Sequence, residues 1–336
     1  MNADLSSITD QVAALKGETV TPSLANSVTV HCLVRSIRYH DGFARQPRAA
    51  NDYPRSQRAR HEEQQATLDV LGPSVLTTLS FLPQLHKLIA SSDSSGISPY
   101  YVLSNLLLAT NHFTIYLALC VNDTSGGGVV VHNPPSTADF LNLTQVFVVW
   151  LLFSLVFVLT LTYLPSDDRP AKRPVVSIYI AFLLISLIPQ VYDIITGFNG
   201  LAHSDREWLL VFFVAGHLAI VNPVLTILAI VSARIQVRKI KRGTAVTAFS
   251  TLGLVAQVIA FALVAVSWIW RVLYGDAPRF VENAALDWYA KFGWPVVGNA
   301  VFANVHFVIL WVIARRGRGG TASVQGSEGE TEPLLS

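Results

Sequence analysis

Residues 70–88 read VLGPSVLTTLSFLPQLHKL, an apolar run that closes on a proline, an amide and two basic side chains. Proline removes a backbone donor and clashes with the preceding turn, so Pro83 either ends a helix or bends it. In lipid, a bend is tolerated only where protein or water satisfies the freed carbonyl. Gln84 supplies an amide at that point, so Pro83-Gln84 reads as a hinge as well as a stop.

The rest of the chain supplies the setting. Of 336 residues 51% are hydrophobic and 14% charged, and the mean hydropathy is +0.45. That is too apolar for a soluble globular domain, and an integral membrane protein is expected. The net charge is +2, and the basic residues lie scattered in short segments, which argues against a nucleic-acid partner. Two cysteines, Cys32 and Cys120, cannot build a disulfide framework or a zinc site. No nucleotide or nucleophile motif is present, so neither cofactor nor metal is expected.

A spanning helix needs roughly 20 apolar residues. Seven runs qualify on reading the sequence: 70–90, 97–121, 140–164, 174–199, 208–233, 244–270 and 292–314. They are continuous, whereas barrel strands would show short alternating segments, so the fold class expected is all-α integral membrane. With the first helix running from outside to cytosol, twelve basic residues flank the cytosolic side, among them Lys87, Arg238, Lys239 and Arg315. Four fall on the other side: Arg206, Arg271, Arg279 and Lys291. The N-terminus is then outside and the C-terminus in the cytosol. Residues 1–66 read as a disordered lumenal tail without a clear signal peptide, and 315–336 as a cytosolic tail. Of two sequons, the one at Asn122 falls in a lumenal loop and is the expected glycosylation site, while Asn142 lies too near the third span.

An internal repeat is visible in two alignments. PQLHKL at 83–88 can be written over IQVRKI at 235–240, so that Gln84 faces Gln236 and Lys87 faces Lys239, both 152 positions on. Gly96 is then matched to Gly243, through a second loop five residues shorter, and Asp139 to Asp287. The expected architecture is two parallel three-helix bundles, 68–164 and 208–314, joined by a linker helix at 174–199. A second Pro-Gln, Pro189-Gln190, lies in the linker out of register and reads as a kink or a coincidence.

Pro83-Gln84, eleven residues, Gly96-Ile97-Ser98, six residues and Asn105 resemble the first motif of the PQ-loop repeat family, the cystinosin-type lysosomal and vacuolar transporters related to the SWEET carriers. The resemblance covers residues 68–314. It implies two bundles around a central path, PQ prolines as hinges, and alternating-access transport of a small polar solute across a vacuolar or lysosomal membrane, with protons as a possible coupling partner. Two positions depart from the family: Ile235 replaces the second proline, and Leu252 stands where cystinosin-type members carry an aspartate tied to proton coupling.

Polar residues inside spans are costly and often functional. Pro83, Gln84 and Gln236 are the expected hinge and gate. Asn105, Asn111, Gln145, Gln257, Pro295 and Asn299 are the expected solute path, since amides bind a polar solute without fixing its charge. Interhelical bonding is the structural alternative for each of them. His217 and Asp193 are the candidates for carrying a proton. Glu330, Leu334 and Leu335 form an acidic dileucine pattern that clathrin-adaptor sorting machinery could read. An alternative class is a polytopic terpene cyclase that protonates its substrate with Asp193, assisted by Glu207, in a pocket lined by aromatic residues.

Overall fold

The computed structural model describes residues 53–121, 131, 135–198, 212–242, 248–273, 288–289 and 293–325. The N-terminal tail up to Asp52, Asn122, Glu207, Gly243, Asp287, Glu330, Leu334 and Leu335 lie outside these residues. Asp193 falls within a described helix, but its side chain lies outside the description.

All long elements among the described residues are helices. α1 is Tyr53–Ser91, α2 Pro99–Val121 and α3 Thr137–Thr162. A 3-10 turn, Ser166–Ala171, leads into α4, Lys172–Phe198. A π-helical turn, His217–Val221, precedes α5, Asn222–Arg242. α6 is Thr251–Leu273 and α7 Trp294–Gln325.

Local chemistry explains several of the helix starts. Ser136 caps α3 in a capping box: its hydroxyl accepts from the Asp139 amide at 3.3 Å, and Asp139 accepts from the Ser136 amide at 2.8 Å. Ser250 caps α6 by accepting from the Gly253 amide at 3.1 Å. Pro99 and Pro295 sit in the first turns of α2 and α7, where a missing N–H costs nothing. Pro83, by contrast, does not end its helix, because α1 continues to Ser91.

Among the described residues six helices are long and apolar enough to cross a membrane, from Pro99–Val121 to Trp294–Arg316. Seven were expected, and the one that falls short is α1. Thr77, Thr78, Ser80, Gln84, His86 and Lys87 break its apolar run. Its polar groups fall largely on one face: Thr77, Ser80, Phe81, Gln84 and Leu88 are buried, whereas Val75, Leu79, Leu82 and Ile89 are exposed. That is helical periodicity with the polar face turned inward, the reverse of a helix on a water-soluble protein. The outward faces of the other helices are likewise apolar, with Ile185, Ile220, Ile227 and Leu252 among the most exposed, as contact with a lipid bilayer requires.

The packing obeys a simple exchange rule. α1 packs on α3 and α6, α5 packs on α7 and α2, α2 pairs with α3, and α6 pairs with α7. Exchanging α1, α2 and α3 for α5, α6 and α7 leaves these pairings unchanged. α4 lies outside the rule and covers α2. Accordingly 89% of the apolar window of α2 is buried, against 17% for that containing α4. The residue numbering follows the same exchange: α2 and α6 are both 23 residues long, and each residue of α6 stands 152 positions after its counterpart in α2.

Candidate functional site

Gln84 and Gln236 each grip the opposite half of the molecule. From α1, Gln84 donates Nε2–H to the Ala248 carbonyl at 2.9 Å and accepts at Oε1 from the Ser250 amide at 2.9 Å. From α5, Gln236 donates to the Gly96 carbonyl at 2.6 Å and accepts from the Ser98 amide at 2.7 Å. Both side chains are buried, at 5% and 0% exposure. Each amide therefore spends its donor and its acceptor on the backbone just before α6 or α2, and a side chain of any other chemistry would leave two buried backbone groups without partners.

Within the clasps Ala248 takes the place of Gly96 and Ser250 that of Ser98, each 152 residues on, as Gln236 is from Gln84; Gly243, matched to Gly96 in the sequence, lies outside the described residues. Gly96 has a φ of 86°, which a glycine adopts without strain. The halves differ in one further respect. Lys239 donates to the Ile97 carbonyl at 2.9 Å and pairs with Asp168, while Lys87 is exposed.

Beside the Gln84 clasp lies a cavity of about 30 Å³, with room for about two water molecules. Its polar lining is Gln84, Tyr101, Asn105, Gln257 and His306, and its apolar lining includes Phe81, Phe153, Phe249 and Leu254. Asn105 and Gln257 are themselves counterparts, 152 residues apart. Asn105 donates Nδ2–H to the Tyr101 carbonyl at 2.9 Å, and no protein group satisfies its Oδ1. His306 donates Nδ1–H to the Phe302 carbonyl at 2.6 Å, which leaves Nε2 to accept from the Tyr101 hydroxyl at 3.3 Å. The described lining thus offers amides, a phenol and an imidazole, and no carboxylate.

A layer of aromatic rings closes the cavity at mid-depth. Phe81 meets Phe153 edge-on with centroids 5.0 Å apart, and Phe302 lies 5.0 Å from both Phe153 and Phe261. Beyond this layer is a second polar group. Asn111 donates to Asn222 Oδ1 at 3.0 Å, and Asn222 donates to the Tyr289 hydroxyl at 2.7 Å. Burial raises the Tyr289 hydroxyl above its ordinary value, which keeps it protonated.

Of the residues expected on the solute path, the structure therefore brings Asn105 and Gln257 together at the cavity, beside Gln84 of the expected hinge. Asn111 lies beyond the aromatic layer, and Gln145 is buried on α3 away from the cavity lining. Pro295 belongs to the first turn of α7, and Asn299 donates back to its carbonyl at 2.8 Å, which is helix-internal bonding. Gln236 is a clasp with no place in the cavity wall. His217 is buried between α4 and the π-helical turn, where it bonds the Phe213 carbonyl at 3.0 Å and stands 3.5 Å from the Ser186 hydroxyl. It does not line the cavity. His306 is legible in the sequence as an imidazole inside an apolar run, whereas Tyr101 is the polar lining residue that sequence reasoning did not name. The helical spacing of Tyr101 and Asn105, one turn apart, was the available signal.

No family model, curated protein or solved structure matches this chain.

Proposed function

We propose that the chain is an alternating-access carrier for a small polar solute, of the amino-acid or sugar class, with the architecture of the PQ-loop repeat family. In this reading α1 is a seventh spanning helix, α1–α3 and α5–α7 are parallel repeats, and α4 is the linker between them. The observation that carries it is the pair of reciprocal glutamine clasps, set at one constant offset on either side of a polar cavity. Each first helix of a repeat holds the start of the other repeat's second helix, so releasing the clasps frees one half to rock against the other. The cavity accommodates water but nothing of solute size, which corresponds to a closed state of the cycle.

The register of the clasps refines the coupling expectation. Moving the second motif on by five residues carries the family's aspartate position from Leu252, 70% exposed, to Gln257, 3% exposed in the cavity wall. An amide there takes no proton, so uptake is expected to follow the solute gradient and not a pH gradient. No observation favours the cyclase: the described cavity lining holds no acid, and Glu207 lies outside the described residues.

Reconstituted liposomes tested with amino acids and sugars, with and without a pH gradient, examine solute and coupling together. Saturable uptake of one class, insensitive to the gradient, is expected; no uptake of any would defeat the reading. A vacuolar or lysosomal address rests on the acidic dileucine and on the family resemblance, and redirection to the cell surface in Leu334→Ala/Leu335→Ala tests the dileucine.

A further inference from the structure

The side of the molecule away from the clasps carries a feature that the clasp and cavity leave unused. Where α2 meets α7, His112 and Trp294 are packed ring against ring, with centroids 5.3 Å apart, and are 5% and 0% exposed. His112 Nε2 and Trp294 Nε1 both lack a hydrogen-bond partner, and so does Oδ1 of the neighbouring Asn111. A buried donor or acceptor without a partner costs the full desolvation of that group. Three in one place call for partners that the protein groups of this conformation do not supply.

Gly298 shows how the surface is closed here. A Cβ on Gly298 would stand 2.5 Å from His112 Nε2 and closer still to Cε1. The α7 backbone therefore lies flat on the edge of the imidazole, an approach that glycine alone permits. The packed cluster that includes Trp294 and Val296 also contains Ile115, Tyr116 and Cys120 of α2. Phe302 ties this seam to the cavity, lying 6.2 Å from His112 and 5.0 Å from Phe153.

We propose that the α2–α7 seam is the second gate of the solute path, closed in this conformation by the contact of Gly298 on His112, and that His112, Trp294 and Asn111 are the groups water reaches when it opens. The inference rests on the carrier reading for its role but not for its test. Opening is a property of the seam, and is measurable without transport.

Cys120, a free thiol 6% exposed in the same packed cluster, reports on opening. In the full-length chain carrying Cys32→Ser, its reaction with a membrane-impermeant maleimide is timed in liposomes or detergent. Gly298→Ala should speed labelling by about tenfold, the response to a tenfold shift of the open–closed equilibrium. Adding His112→Ala, which removes the ring that the new Cβ meets, should return labelling toward the starting rate. Trp294→Phe removes the orphaned N–H and keeps one aromatic ring, so it should slow labelling even where the lost volume lowers the melting temperature. Several results overturn the gate: labelling unchanged in Gly298→Ala, a Gly298→Ala effect that His112→Ala leaves in place, and unchanged labelling in Trp294→Phe. A Gly298→Ala chain that fails to fold and is not restored by His112→Ala overturns it as well. Uptake enters none of these readouts, so a seam that opens in a chain moving no solute would sink the carrier reading and leave the seam standing.

Discussion

Replacing either clasp glutamine by methionine tests the central geometry, because methionine keeps the length and helix propensity and removes both polar ends. In Gln84→Met the Ala248 carbonyl and the Ser250 amide lose partners held at 2.9 Å each. In Gln236→Met the Gly96 carbonyl and the Ser98 amide lose partners at 2.6 and 2.7 Å. A hydrogen bond is worth about 1 kcal/mol net, and a buried group left unsatisfied costs about 1–3 kcal/mol. Two groups per clasp give a loss of about 2–6 kcal/mol for each variant, toward the low end where water reaches the groups left unpaired. The two losses should be alike, since the clasps are counterparts. Lys87→Met, at an exposed side chain, is the control and should stay within about 0.5 kcal/mol of the parent, as surface substitutions generally do. Reversible unfolding in mixed detergent micelles, followed by tryptophan fluorescence, measures all three. If both glutamine variants unfolded with the parent, the clasps would be incidental contacts and the argument from their reciprocity would fail.

Pro83→Ala restores a backbone donor inside α1, which runs through the proline without ending, so the chain should become more stable while uptake slows; equal uptake would remove the hinge. Ile235→Pro should be tolerated at the matching point of α5, whereas Val255→Pro within α6 should abolish folding, and size-exclusion profiles separate the two. Gln257→Glu places a titratable acid in the cavity wall: the protonated acid mimics the amide and the ionised one does not. Uptake in that variant should therefore persist at low pH and fall as the acid ionises, and a profile as flat as the parent's would separate Gln257 from the solute. Glycosylation at Asn122, together with protease access to a C-terminal tag in intact vesicles, checks the orientation; a protected tag would reverse it.

Much of the helical layout was legible because lipid imposes one rule on every residue of a span, and long uncharged runs obey it visibly. α1 was the exception, with its polar groups turned into the bundle. Periodicity records that some face is different, but without neighbours it does not say whether that face meets water or other helices. The contents of the cavity were half legible. Asn105 and Gln257 stood out as amides in apolar runs, while Tyr101 and His306 are joined by a contact across 205 residues, which no local pattern carries.

The register is the more instructive case. Matching glycine with glycine pairs Gly96 with Gly243 through a loop five residues shorter, whereas the clasps set Ala248 in the place of Gly96. Gln84 and Gln236 recognise a carbonyl and an amide two residues apart, groups that every residue except proline possesses in full. The side chain of the gripped residue is therefore free to vary, while the spacing from the gripping glutamine is not. Keeping that spacing at 152 puts Ala248 where Gly96 stands, pairs Ser98 with Ser250, and pairs Asn105 with Gln257, both in the cavity lining. A five-residue gap placed to match the glycines would instead have left Leu252, facing outward, opposite a buried amide.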